Sequence, residues 1–238
     1  MPNYCNNDLI ITGNIEELKQ FSCRHLVFNI EQDERRNITM DELERLENGE
    51  GIYVDLDCET VIPTPEELQI DADGLYLRTK EEVQQIVDSR IAQFKDLDLS
   101  EADEQTKKIV ENALDIMKTW EQQKTNIEKY GYANWYDFHC EEWGSKWGAF
   151  DGCMELHQQN ETLSLFYATA WSPITGVVKK LIEMYPQLSF KYNYEEPGCA
   201  FQGELSGSNG VVTRDECWEY NPCEDEEDEE DEDEESTV

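Results

Sequence analysis

The sequence is short of positive charge. It has 19 Lys and Arg against 55 Asp and Glu, a formal net charge of −36. A chain of this sign is repelled by free nucleic acid and by anionic membrane surfaces, and it attracts basic ones, including the DNA-binding faces of other proteins. No stretch approaches the roughly eighteen apolar residues that a transmembrane helix needs. The eight cysteines, at positions 5, 23, 58, 140, 153, 199, 217 and 223, include no CxxC pair. Zinc ribbons and redox dithiols need close paired ligands, so this spacing speaks against both. The opening MPNYCNNDLIITG has neither a basic n-region nor a long apolar h-region, so reduced thiols in a cytoplasm are expected. Walker, GxGxxG and HExxH motifs are missing too. Neither a cofactor nor a bound metal is therefore expected.

What is present is enough for one sizeable core, or for one domain with a large insertion: 238 residues, 38% apolar and 11% aromatic. The acidic excess has two parts. One is an unbroken run from Glu224 to Glu235, beginning Glu224, Asp225, Glu226, Glu227, Asp228, whose composition is that of disorder. Taking those twelve residues from 55 leaves 43 against 19 basic ones, so the body is acidic in its own right.

Periodicity places the elements. Tyr4–Thr12 reads as a strand closed by Gly13, and Asn14 with Glu17 opens a short helix carrying Leu18 and Phe21. A strand over Arg24–Ile30, a helix capped by Thr39 and Glu42, and a strand over Ile52–Cys58 are expected next. IPTPEEL, residues 62–68, has two prolines and is expected to run extended over the surface. Gly74–Leu77 is at most a weak strand. Apolar stripes with three- and four-residue spacing predict an αα-hairpin over residues 79–129, turning near Asp96–Ser100.

Asn134–Trp143 reads as an amphipathic helix with Asn134 at its N-cap and Gly144 past its end. Gly152–Gln158 and Thr162–Trp171 read as a β-hairpin. Ser172-Pro173 is a helix start for the stripe Ile174 to Tyr185, and Leu188–Glu195 alternates strictly, as a strand does. Cys199–Leu205 returns as a further strand, and Val211–Thr213 with Trp218 and Tyr220 adds an edge strand or linker within residues 206–223. With the middle set aside, the order is strand, helix, strand, strand, helix, strand. That is an α+β, ferredoxin-like split βαβ arrangement. The domain is expected to span residues 1–205, with Asn134–Trp143 as its first helix and an insertion over about 14–130. An acidic tail over residues 224–238 follows.

MPNYCNN, IPTPEEL, YGYANWYDFHCEEWGSKWGA and TAWSPITGVVKKLIEMYPQLSFKYNYEEPGCAFQGEL resemble the YubB ferredoxin-like domain family, the Api92-like proteins of phages and plasmids. The resembling blocks lie at 1–13, 62–68 and 130–205. The resemblance implies a ferredoxin-like domain and an origin in phage or mobile-element DNA. It implies no reaction and no catalytic residue.

The tryptophan-rich stretch is the candidate site. Trp135, Tyr136, His139, Trp143, Trp147 and Trp171 form either a core cluster or a partner-binding patch. His139 and Cys140 are neighbours on one helix and diverge by about 100°, so they cannot pair with each other as base and nucleophile. Base stacking of single-stranded nucleic acid would need a basic groove, and the chain offers none. The expectation is a non-enzymatic interaction protein that engages a basic host protein by charge mimicry, with no direct nucleic-acid or membrane binding. The alternatives are an enzyme or small-ligand binder with a pocket near His139 and Cys140, and an accessory or structural phage protein.

Overall fold

The computed structural model describes residues 3–28, 35–46, 49–94 and 102–220. In chain order the elements are β1 (Tyr4–Thr12), α1 (Ile15–His25), β2 (Leu26–Phe28), β3 (Arg36–Asn37), α2 (Met40–Arg45), β4 (Gly51–Tyr53) and β5 (Asp55–Leu56). There follow α3 (Lys80–Ile91), α4 (Glu104–Tyr130), α5 (Trp135–Phe138) continued by a π-helical turn over His139–Trp143, β6 (Phe150–His157) and β7 (Thr162–Ala170). The chain then forms α6 (Thr175–Met184), β8 (Ser189–Glu196), β9 (Phe201–Ser208) and β10 (Val211–Glu219). Two compact units result, one made of residues 1–61 and 147–238, the other of residues 62–146.

The first unit is built on an antiparallel sheet in the order β10-β9-β8-β1-β7-β6-β4. Its middle, β8-β1-β7-β6, is the ferredoxin-like order, in which the first and last strands of the motif lie side by side. Alternation explains its two faces. In β1, Cys5, Asn7, Leu9 and Ile11 are fully or nearly buried, while Tyr4, Asn6, Asp8 and Ile10 point the other way. The buried face meets α1 and α6. Phe21 of α1 sits edge-on to Tyr185 at 5.3 Å and to Phe190 of β8 at 6.4 Å. Val177, Val178, Leu181 and Ile182 of α6 are wholly excluded from solvent. A second, three-stranded sheet, β3-β2-β5, completes this unit.

Asn7, Tyr192 and His25 are paired within that core. Asn7 donates through Nδ2 to the carbonyls of Cys5 (2.8 Å) and Tyr167 (3.2 Å) and to Thr169 Oγ1 (3.0 Å). Its Oδ1 accepts the hydroxyl of fully buried Tyr192 at 2.5 Å, and that hydroxyl in turn accepts the Ile174 N–H at 3.1 Å. His25, also wholly buried, bridges Thr60 Oγ1 (2.6 Å) and the Tyr185 hydroxyl (2.7 Å). Burial, aided by the charge of Arg24, pushes its imidazole down to about 4, so it is neutral at pH 7.

Several expectations are revised. The first crossover helix is α1, not Asn134–Trp143. Leu18, Phe21, Ser22 and His25 give α1 a buried face directly after β1, so the crossover helix precedes the inserted material, which still lies within the first crossover, ahead of β6. The insertion therefore cannot start at Asn14, and Asn134–Trp143 belongs to the second unit. Ser172 does not cap α6. That helix starts at Thr175 with Ile174 at the N-cap position, because the Tyr192 hydroxyl already satisfies the Ile174 N–H. The expected strand over Ile52–Cys58 divides into β4 and β5, which join different sheets. Gly74 adopts φ +69° and opens a 3₁₀ turn over Leu75–Leu77 instead of a strand. α1 extends to His25, which shortens the expected strand over Arg24–Ile30 to Leu26–Phe28 among the described residues. The hairpin turn at Asp96–Ser100 and the tail from Glu224 lie outside them.

In the second unit α3 packs on α4, and two buried amides of α4 hold the loops. Gln123 accepts the Tyr76 N–H (2.9 Å) and donates to the Asp71 carbonyl (3.0 Å) and Asp73 Oδ1 (2.9 Å). Asn126 donates to the carbonyls of Glu67 (2.7 Å) and Ala133 (3.1 Å). IPTPEEL is thus fastened, with Leu68 fully buried, and does not merely cross a surface.

Two outcomes follow from the buried polar groups. His25 binds its proton less readily folded than unfolded, so its contribution to stability is complete above about pH 6.5 and falls away as the pH drops towards 4. Urea midpoints at pH 7.5 and pH 5, for wild type and His25→Gln, are expected to show about 2 kcal/mol of additional acid loss in the wild type alone. Tyr192→Phe strips Asn7 Oδ1 and the Ile174 N–H of a partner together, and should cost about 1–3 kcal/mol in the same measurement.

Candidate functional site

The tryptophan-rich stretch divides between the two units. Trp135, Tyr136, His139 and Trp143 belong to residues 62–146, whereas Trp147 and Trp171 belong to the sheet-bearing unit. The local helix is not uniform. Asn134 Oδ1 accepts the N–H groups of Tyr136 (2.9 Å) and Asp137 (3.1 Å), which starts α5 as expected. The turn then widens, and Gly144, at φ +96°, donates its N–H to the His139 carbonyl five residues back. This extra residue per turn brings His139 flat against Trp143, with ring centroids 3.6 Å apart and planes at 12°.

That contact decides what His139 can do. Its Nε2 is 2.8 Å from Thr64 Oγ1 and its Nδ1 is 3.1 Å from the Lys146 carbonyl. A neutral ring serves both: Nδ1–H donates to the carbonyl, and Nε2 accepts the threonine hydroxyl. Trp143 is buried and donates its indole N–H to the Ile62 carbonyl at 2.9 Å. His139 and Trp143 are therefore fasteners of the IPTPEEL segment. Tyr136 is 40% exposed, with Lys146 Nζ 5.8 Å from its ring centre. Cys140 lies beside a cavity of about 520 Å³ also lined by Tyr76, Tyr132, Asp137 and Glu141. Burial raises its thiol pKa, and no imidazole in this unit is placed to activate it. In the sheet-bearing unit, Trp147 and Trp171 are both nearly half exposed, and Trp171 ends β7 in a left-handed conformation at φ +69°.

The sheet supplies a site that the sequence reading passed over. The face opposite α1 and α6 is not stripped of large apolar groups: Phe166 is 43% exposed, Trp218 41% and Tyr53 83%. Strand register defines its rows. One row runs Trp218, Gln202, Glu195, Asn6, Ala168, Phe150 across β10, β9, β8, β1, β7 and β6. The adjacent row sets Glu216 and Glu204 beside Asn193, Asp8 and Phe166. A cavity of about 590 Å³ follows these rows and includes Asp151 and Cys153.

Gly203, on the helix side of β9, leaves room for the Tyr194 side chain opposite it. A Cβ there would stand 2.3 Å from the Tyr194 hydroxyl and 2.5 Å from the Glu216 carbonyl oxygen. The charge on the open face is predominantly negative. Asp8, Glu155, Glu195, Glu204 and Glu216 share it with Asp151 at a bulge, against Lys191 and Arg214. Arg214 is already engaged. It reaches Glu204 at 3.0 Å and Glu216 at 2.8 Å and lies 5.8 Å from the centre of the Trp218 ring. One Asp8 oxygen is buried without a hydrogen-bond partner, and burial raises this carboxyl's pKa against the opposing pull of Lys191. A signal for this site did exist in the sequence. Phe166 stands in phase with Thr162 and Ser164, on the solvent side of a strand whose other side is Leu163, Leu165 and Tyr167.

Among the described residues no cluster of His, Cys, Asp and Glu is arranged to hold a metal ion, and no helix is long and apolar enough to cross a membrane. Residues 142–237 match the family model described as the ferredoxin-like domain in Api92-like protein. Among solved structures, the crystal structure of a protein api92 from Yersinia pseudotuberculosis is similar. It is 11% identical and aligns over 93% of this chain and 100% of that chain, with a TM-score of 0.41. Among the curated proteins no relative matches.

The fastening role of Trp143 has a measurable consequence. Trp143→Ala is expected to lower unfolding free energy by about 3–5 kcal/mol, whereas Tyr136→Ala should stay within about 1 kcal/mol. Urea denaturation followed by far-UV circular dichroism separates the two.

Proposed function

With residues 142–237 a ferredoxin-like domain of the Api92-like type, we propose that this is a non-enzymatic, acidic interaction protein whose partner is a basic protein. The observation that carries the reading is the open sheet face, where carboxylates from five strands and a bulge surround exposed Phe166 and Trp218. Carboxylates held in register on a rigid sheet present a fixed array of negative charge. Such an array attracts a cationic surface at long range and orients it on approach. The acidic run from Glu224 to Glu235 follows β10 in sequence and adds to the same attraction. A surface of this kind competes with nucleic acid for a basic cleft, and in a phage or mobile-element setting the target would be a host nuclease or nucleic-acid-binding defence protein. His139, the histidine of the tryptophan-rich stretch, is consumed by structural hydrogen bonds, which favours binding over catalysis there.

The test is affinity capture from host lysate on immobilised protein at about 50 mM and about 500 mM salt, with retained proteins identified by mass spectrometry. Basic nucleic-acid-binding proteins are expected at low salt and should be released at high salt. Each one, once purified, should release labelled DNA when the acidic protein is added in an electrophoretic competition assay. Retention of no basic protein at low salt, or retention without DNA displacement, would overturn the reading.

A further inference from the structure

Resting on the reading of a basic partner, we infer that the cleft on the open sheet face is a seat for an extended, arginine-bearing segment of that partner, with one guanidinium lodged between Asp8 and Phe166. The argument begins from an arginine the protein already holds. On the same face, at the β10 end, the Arg214 guanidinium is paired with Glu204 and Glu216 and lies beside the Trp218 ring. Two carboxylates with an aromatic ring form a setting that suits a planar, weakly hydrated cation better than a compact ammonium.

Towards β7 the same elements recur without the cation. Asp8 and Phe166 are directly opposite each other in the β1–β7 register. Asp151 and Glu195 also line this cavity. The Asp8 carboxylate has one oxygen buried with no donor to it, an arrangement that leaves its charge poorly compensated. Lys191 acts on that charge from the next row but forms no ion pair with it. A guanidinium entering the cavity would meet the carboxylate edge and cover the exposed Phe166 ring, so attraction and apolar burial act at one place.

The length of the cleft identifies the occupant further. It runs across the strands from Trp218 on β10 to Phe166 on β7, four strand spacings or about 19 Å. That span matches about six residues of extended chain and exceeds any single side chain or small organic cation. Between the two ends the lining is amide and carboxylate, namely Gln202, Glu195, Asn193 and Asn6, which can accept hydrogen bonds from peptide N–H groups and further cationic side chains.

The experiment titrates the full-length protein with two synthetic peptides of equal charge, each alternating glycine with arginine or with lysine over six residues, by isothermal calorimetry at low salt. The arginine peptide is expected to bind more tightly. Asp8→Asn and Phe166→Ala should each weaken it by about tenfold, while Glu183→Gln, an exposed carboxylate of α6, should change it by less than about twofold. Thermal melts of each variant confirm folding, and Phe166→Ala, a surface substitution, remains informative if Asp8→Asn alters stability. Equal loss in Asp8→Asn and Glu183→Gln, or no preference for arginine, would overturn the seat and leave a diffuse charge attraction. No binding of either peptide also overturns it, while capture of a basic protein with DNA displacement, judged separately, would still stand.

Discussion

The Asn7 side chain and the Tyr192 hydroxyl form the constraint on which the sheet-bearing unit depends. β1 is the middle strand of seven, and Asn7 lies on its buried face, where a polar group without partners would be costly. Every hydrogen-bonding site of that amide is used. Its bonds fix β1 to β7 through Tyr167 and Thr169 and to β8 through Tyr192. Because the Tyr192 hydroxyl also receives the Ile174 N–H, the same hub sets where α6 begins. A one-residue slip of β1 would carry Asn7 to the open face and Asp8 into the core, so the register that creates the hub also places the candidate site.

From that register the two faces acquire different chemistry. The helix side is closed by Phe21, Tyr185, Phe190 and the apolar stripe of α6, with His25 held neutral among them. The other side receives whatever is in the opposite phase: carboxylates on five strands, a few amides, and aromatic rings left in solvent. Neither set is a site when taken strand by strand. Antiparallel pairing brings Asp8 beside Phe166 from parts of the chain far apart in sequence, and Glu204 beside Glu216 across the β9–β10 hairpin. Arg214 shows what such a neighbourhood accepts, since the protein's own guanidinium occupies one end of it.

The second unit uses its polar side chains differently. Gln123 and Asn126 spend their amides on loop carbonyls and N–H groups, and His139 spends both ring nitrogens on Thr64 and Lys146. A stretch rich in tryptophan therefore serves, with its one histidine, to hold IPTPEEL in place. Such crowding looks the same in a sequence whether the groups face a ligand or one another. The difference is one of partners: Thr64 and Ile62, which occupy His139 and Trp143, lie more than seventy residues earlier in the chain.

The sequence by itself determined the α+β character and the ferredoxin-like order, because strict alternation in Leu188–Glu195 and Tyr4–Thr12 and the stripe of α6 are local patterns fixed by backbone geometry. It determined the acidic balance as well, and with it the sign of any surface the protein attracts. Tertiary structure decided which helix completes the first crossover, since both α1 and the Asn134–Trp143 segment are amphipathic and only packing against β7 and β8 distinguishes them. It also decided that the tryptophan-rich stretch fastens a loop, and that Asp8, Phe166, Glu195 and Trp218 share one cleft. Those outcomes depend on long-range strand register and on buried hydrogen-bond partners, which no local periodicity encodes.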